Sequence, residues 1–167
     1  VSCQGADPVG VLMTVLIPPS ATLEDLKEIV EDANKTAKKL NVDIIGGHTE
    51  ITEAVNKILI STTVLGRVDK KAMPDPKSIK AGDVVAVSKY LGIEGTSIIA
   101  HDKDEVSEIL SKEELKFAKS LADDISVLKE ARLATKYGVK HMHDITEGGL
   151  YGALWETGVA LGHGLRA

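Results

Sequence analysis

The run Asp43-Ile44-Ile45-Gly46-Gly47-His48-Thr49-Glu50 places the tightest constraint on what this chain can fold into. Val42 to Ile45 reads as a short buried strand, and it leads directly into a Gly-Gly pair. Paired glycines tolerate φ > 0 and let the backbone approach another group closely. His48, Thr49 and Glu50 follow at once, offering an imidazole, a hydroxyl and a carboxylate. A strand that ends in glycines and then polar groups is where α/β proteins often place phosphates and their Mg²⁺. A tight turn between two strands is the plainer reading of Gly46-Gly47 taken alone.

A second run of the same character, His141-Met142-His143-Asp144-Ile145-Thr146-Glu147-Gly148-Gly149-Leu150, weighs against the plain reading. A strand-like stretch leads to Asp144 and Thr146, two glycines follow, and Tyr151 to Ala160 is a candidate helix. Glycines at a helix start leave backbone N–H groups free at the positive end of the helix dipole, which suits an anion. Glu147 would repel a phosphate there unless a cation lies between or its side chain turns away. The alternative is an N-capped helix, with Asp144 or Thr146 as the cap.

Val9 to Ile17 is apolar and rich in β-formers, and Pro18-Pro19 ends it. Thr22, with Asp25 three residues on, is close to a capping box. Leu23, Leu26, Val30, Ala33, Ala37 and Leu40 then repeat at helical spacing, a stripe expected in the core. Lys57 to Val68 reads as a longer strand, Asp69 to Pro76 as a loop, and Val84 to Ser88 as another strand. Lys89 to Gly95 reads as a domain junction, giving domains 1–88 and 89–167. Gly95-Thr96-Ser97 reads as a helix cap, while Lys112 to Asp123 and Ser126 to Tyr137 read as helices, with Gly138 a C-terminal stop. Lys129, Glu130 and Arg132 read as solvent-facing charges.

Charge and composition narrow the function classes. The net charge is −5 with no basic block, and aromatics are 3% of the chain, so a nucleic-acid partner is not expected. The core must come from Val, Ile, Leu and Ala. The single cysteine, Cys3, allows no internal disulfide and suits a reducing cytosol. No apolar run reaches membrane-spanning length, so no membrane partner is expected. His141 and His143 would share a face on a strand and, with Asp144, could bind a transition metal; partly buried strand histidines are the alternative.

Three segments together carry a family resemblance. Gly5-Ala6-Asp7-Pro8 resembles a Gly-Ala-x-Pro element, Gly46-Gly47-His48-Thr49 a Gly-Gly-x-Thr element, and Asp144-Ile145-Thr146-Glu147-Gly148-Gly149-Leu150 an Asp-x-Thr-x-Gly-Gly-Leu element of the AIR synthase superfamily. They occur in the family's order, and the resemblance covers nearly the whole chain, pointing to the HypE-like branch. It implies an α+β, PurM-like fold: a ferredoxin-like N-terminal layer whose sheet dimerises, then the start of a second α/β domain. It further implies an ATP-dependent enzyme that phosphorylates a carbonyl, amide or similar acceptor, small-molecule or protein-bound, with ATP and Mg²⁺ and as a homodimer. Glu50 and Asp144 would be catalytic and metal-binding. Gly46, Gly47, His48 and Thr49 would serve the nucleotide end, and Thr146, Gly148 and Gly149 the cleft between domains. His48 stands where AIR synthase has Glu and several ATP-using relatives have Asp, so the family's metal-ligand role does not transfer to it simply, and Asp144 stands where AIR synthase has His, which argues against that particular activity. The ends read as cut. A non-catalytic nucleotide-binding or dimerisation module, or selenophosphate synthetase-like chemistry, are the alternatives.

Overall fold

A computed structural model describes residues 1–166. The chain divides into two compact units, the first Val1–Met73 and the second from Pro74 onward. This division falls earlier than the junction at Lys89 to Gly95 read from the sequence.

The first unit is a three-stranded sheet with one long helix. β1 (Asp7–Ile17) is central, between β2 (Asp43–Ile51), which runs parallel to it, and β3 (Leu59–Arg67), which runs antiparallel. The helix α1 (Leu23–Leu40) connects β1 to β2, as a parallel pair requires. Its start is a full capping box: Thr22 N–H donates to Asp25 Oδ2 at 2.7 Å, and Asp25 N–H to Thr22 Oγ1 at 3.2 Å. These bonds hold the Asp25 carboxyl below the usual carboxylate range. Asn41, at φ 55°, closes the other end. Val15 and Ile17 are the deeply buried side chains of the sheet, at 1% and 4% exposure. The apolar stripe of α1 lies shallower than expected. No α1 residue is fully buried, and Leu23 is 69% exposed.

β2 corrects the reading of Gly46-Gly47 as a turn. The strand does not stop at Ile45 but runs through both glycines to Ile51, and Asp43 and Ile45 are exposed rather than buried. The pairing with β1 shifts register between Val11 and Leu12: Val11 faces Ile44 and Leu12 faces Gly46, leaving Ile45 as the extra residue of a bulge.

The second unit is helical. It contains α2 (Ile93–Asp102), the one-turn α3 (Val106–Ile109), α4 (Lys112–Ser120), α5 (Leu128–Lys136) and α6 (Gly149–Leu161). Its buried apolar residues are small or aliphatic: Ala100, Ala118, Leu121, Leu128, Ala131 and Ala153. α2 begins at Gly92 rather than at a Thr96 or Ser97 cap. Ser97 instead lies buried within the helix, where its hydroxyl donates to the Lys119 carbonyl at 3.3 Å and ties α2 to the end of α4. The expected strand Val84 to Ser88 does not form, and Val84 is 89% exposed. The His141 to Asp144 stretch is likewise not a strand. A strand exists only by pairing, and among the described residues neither stretch has a ladder partner. Glu130 is not simply solvent-facing. It accepts from Lys89 Nζ at 3.1 Å, while the same ammonium donates to the carbonyls of Asp124 and Ser126, each at 2.6 Å.

Candidate functional site

The two glycine motifs occupy different units and do different backbone work. In the first, Gly47 has φ 147°, and a Cβ there would fall within the Met13 carbonyl. Gly47 is therefore where β1 and β2 come too close for any side chain. Gly46 has no such conformation, and a Cβ on it would make only a 3.4 Å contact with the Leu12 side chain. Gly10 of β1 gives room to the bulged residue, since a Cβ there would lie 2.7 Å from Ile45 Cδ1.

Register sorts the predicted residues between faces. Residues directly opposite one another share a face, and the face alternates along each strand. Gly47 and Thr49 thus lie with Met13 and Val15 on the face that carries the buried Val15. Gly46, His48 and Glu50 lie on the other face, in rows with Leu12, Thr14 and Leu16. β3 extends those rows with Thr63, Ser61 and Leu59. His48 Nε2 stands 3.5 Å from Glu50 Oε2, with the two side chains 65% and 55% exposed. The open face therefore presents an imidazole, a carboxylate and the hydroxyls of Thr14, Ser61 and Thr63 together. Thr49 is not part of that group.

In the second motif the residues converge on the start of α6. Gly148 is the N-cap at φ 78°, Gly149 follows at φ 61°, and no side chain caps the helix. Neither Asp144 nor Thr146 acts as the cap. Gly149 N–H bonds to the Thr146 carbonyl at 3.1 Å, which folds the loop back over the helix start. Gly152 also belongs to this device: a Cβ on it would come 3.0 Å from the Glu147 carbonyl, and one on Gly148 would come 3.2 Å from Gly152 Cα. The sequence reading missed Gly152, although its four-residue spacing from Gly148 was there to be seen. Asp144, Thr146, Glu147 and Gly148 are exposed.

Two other helix starts, those of α1 and α4, give the contrast, while α2, α3 and α5 lack a side-chain cap as well but each carry an acidic residue in the first turn. At α1 and α4 the positive end is already taken by the chain's own carboxylates, Asp25 through Thr22 and Glu114 through Ser111. The α6 start has glycines in place of a cap and no acidic residue in its first turn. Its free N–H groups and dipole fit the oxygens of a phosphate.

Among the described residues His141 and His143 have no third ligand grouped with them. Their rings meet edge to face at 6.4 Å, and among the described residues no three His, Cys, Asp or Glu side chains are grouped to hold a metal ion. His143 instead makes two bonds: Nδ1 lies 2.6 Å from the Asp144 carbonyl and Nε2 3.0 Å from Glu156 Oε2. His141 Nε2 is buried without a partner, and burial, then the neighbouring His143, pushes its ring pKa down. Lys140 Nζ bonds both oxygens of Asp83, at 2.7 and 2.6 Å, and holds that carboxyl below its usual range.

Comparison with known proteins identifies the class. Residues 1–68 match the N-terminal domain, and residues 80–165 the C-terminal domain, of AIR synthase related proteins. The chain belongs to the AIR synthase related family. Within it the chain is HypE-like. It is 34% identical over 157 residues to a Methanocaldococcus jannaschii protein named for hydrogenase expression and formation, covering 92% of this chain and 44% of that protein. It is 28% identical over 169 residues to carbamoyl dehydratase HypE of Escherichia coli, covering 99% of this chain and 47% of that one. The crystal structure of E. coli HypE superposes with a TM-score of 0.77 at 24% identity, over 97% of this chain and 48% of that chain. This likeness establishes the α+β, PurM-like fold. A HypE structure in complex with ATP matches at a TM-score of 0.71 and 20% identity, over 94% of this chain and 45% of that one. The chain spans about half the length of the curated relatives it matches. No helix among the described residues is long and apolar enough to cross a membrane.

Proposed function

We propose that this chain is the part of an ATP-dependent enzyme that binds nucleotide phosphates and activates an amide, carbonyl or similar acceptor oxygen. The observation that carries this reading is the uncapped start of α6 behind Gly148 and Gly149. A phosphate there would be met by backbone N–H groups and the helix dipole, with the Thr146 hydroxyl close in sequence. Glu50 in the first unit and Asp144 in the second are each assigned as a carboxylate for Mg²⁺, with His48 and Gly46 beside Glu50 on the open face, while Gly47 and Thr49, on the opposite face, support that strand rather than meet the ligand. Mg²⁺ commonly takes only one or two carboxylates and completes its octahedron with phosphate oxygens and water, so a single exposed carboxylate in either unit suits it. In the reaction, the acceptor oxygen forms a bond to the γ-phosphorus, the bond to the bridging oxygen breaks, and ADP leaves. The chain's own groups position the phosphates and neutralise charge.

The relatives support this reading through one name and one structure: a carbamoyl dehydratase, which acts at an amide, and a HypE bound to ATP. A second HypE structure is a complex with HypF, which favours a protein-bound acceptor or donor over a free small molecule. The exposed apolar residues of the sheet, Val9, Leu12, Leu59 and Leu65 among them, suit a homodimer. A reducing cytosol suits the single free cysteine.

The test is calorimetric titration with a non-hydrolysable ATP analogue, with and without Mg²⁺. Binding should depend on Mg²⁺, and Asp144→Ala should weaken it about tenfold. Binding unchanged in Asp144→Ala removes that residue from the site, and no binding at all overturns the reading for this chain.

A further inference from the structure

We infer that Glu156 and His143 form a positioning pair that fixes the backbone of the Asp144 to Gly149 loop; its role in ligand binding rests on the nucleotide reading above. The loop follows a stretch with no ladder partner among the described residues, so something other than a sheet must hold it. Its backbone is tied at one end by Val139 N–H to the Ala134 carbonyl, and at the other by Gly149 N–H to the Thr146 carbonyl, both at 3.1 Å. Between those ties the bonds come from side chains. Lys140 anchors to Asp83, and His143 bridges the Asp144 carbonyl to Glu156.

The bridge joins the two halves of the candidate site. Glu156 lies in α6, the helix whose N-terminus begins at Gly148, and Asp144 lies in the loop leading to that N-terminus. Through one imidazole ring, the helix body thus sets where the Asp144 backbone stands relative to the free N–H groups of its own first turn. The His141 ring lies edge-on to that of His143, with the centroids 6.4 Å apart. The Glu156 side chain is 53% exposed and that of His143 30%. Pairs so exposed contribute little to global stability. A carboxylate that orients an imidazole nevertheless has a strong effect on whatever the imidazole holds, as partners behind metal-binding histidines do. Glu156 lies outside the run from His141 to Leu150 that marks the loop in the sequence.

The test uses the intact chain with Glu156→Ala and Glu156→Gln, and two readouts. Backbone amide hydrogen exchange in the free protein reports the tie itself. Glu156→Ala should speed exchange about three- to fivefold at residues 144–149 and leave β1, β2 and β3 unchanged. Titration with Mg²⁺ and a non-hydrolysable ATP analogue reports the role, and affinity should fall about tenfold with little change in Tm. Glu156→Gln should restore both, because its side-chain amide can pair with Nε2 either way, through its carbonyl or its NH2 group. Unchanged exchange at 144–149 overturns the tie. Faster exchange with unchanged affinity, or no rescue by Gln, overturns the positioning role. If the wild-type chain binds no nucleotide, the reading of the site fails, and the tie alone stands or falls on the exchange data.

Discussion

Gly46-Gly47 and Gly148-Gly149 are the same dipeptide, each beside a strand-like apolar stretch and near an acidic residue and a threonine, yet the fold uses them oppositely. In the first unit the absent side chain makes room for another strand: Gly47 lies against the Met13 carbonyl, inside a ladder. In the second it leaves a helix end open: Gly149 has nothing within 4 Å of where its Cβ would be. Gly47 is required by packing, and Gly149 by conformation and exposure. A Gly-Gly pair therefore marks a place where the backbone needs freedom, but not whether protein or ligand fills the space.

The comparison can be broken most sharply at Gly47. Gly47→Ala meets both a disfavoured φ and a backbone carbonyl, and should cost about 3–4 kcal/mol or prevent the first unit from folding. Gly46→Ala in the same strand should stay within about 1 kcal/mol. Urea unfolding of the two variants decides; equal losses would mean that the close approach of β1 and β2 is not what the glycines serve. Next in size is Gly149→Ala, where only the left-handed conformation is at stake and the loss should be about 1–2 kcal/mol. A larger loss there would mean that the helix start is packed rather than open.

The smallest effect is a pH dependence. His141 has its pKa held below the ordinary 6.5, first by burial and then by His143. The unfolded chain therefore binds the proton more readily than the folded one. The resulting stability is fully present above about pH 6.5 and falls as pH drops from there towards the lowered folded value. His141→Phe should flatten that part of the profile in thermal unfolding between pH 7 and 5. An unaltered slope would assign the acid sensitivity to other groups.

What could be read from the sequence was local. The Thr22 to Asp25 spacing predicts a capping box, and the box is there. Pro18-Pro19 ends β1, and the helix after Gly148-Gly149 is where the spacing places it. What misled was everything that depends on a distant partner. Val84 to Ser88 has β-forming residues but, among the described residues, no neighbour to pair with. Gly46-Gly47 reads as a turn because the strand that makes it a bulged strand instead lies some thirty positions earlier. The candidate site shows the same divide. The motif residues could all be named, and alternation alone puts His48 and Glu50 on one face and Thr49 on the other, but the bulge at Ile45 decides which of those faces is the open one. Glu156 carried no local signal at all.

The central position of β1 also has a consequence for how the first unit is made. Its antiparallel partners come late, with Leu16 waiting for Leu59 and Asp7 for Arg67. At about 5–20 residues per second of synthesis, those separations leave the strand without β3 for roughly 2–12 s. During that time Val9 to Ile17, a stretch without a charged residue, is a candidate for pairing with another nascent chain. The strand that organises the finished sheet is thus the one most exposed to misassembly on the ribosome, and α1 with β2, which pair with it first, act as its earliest shelter.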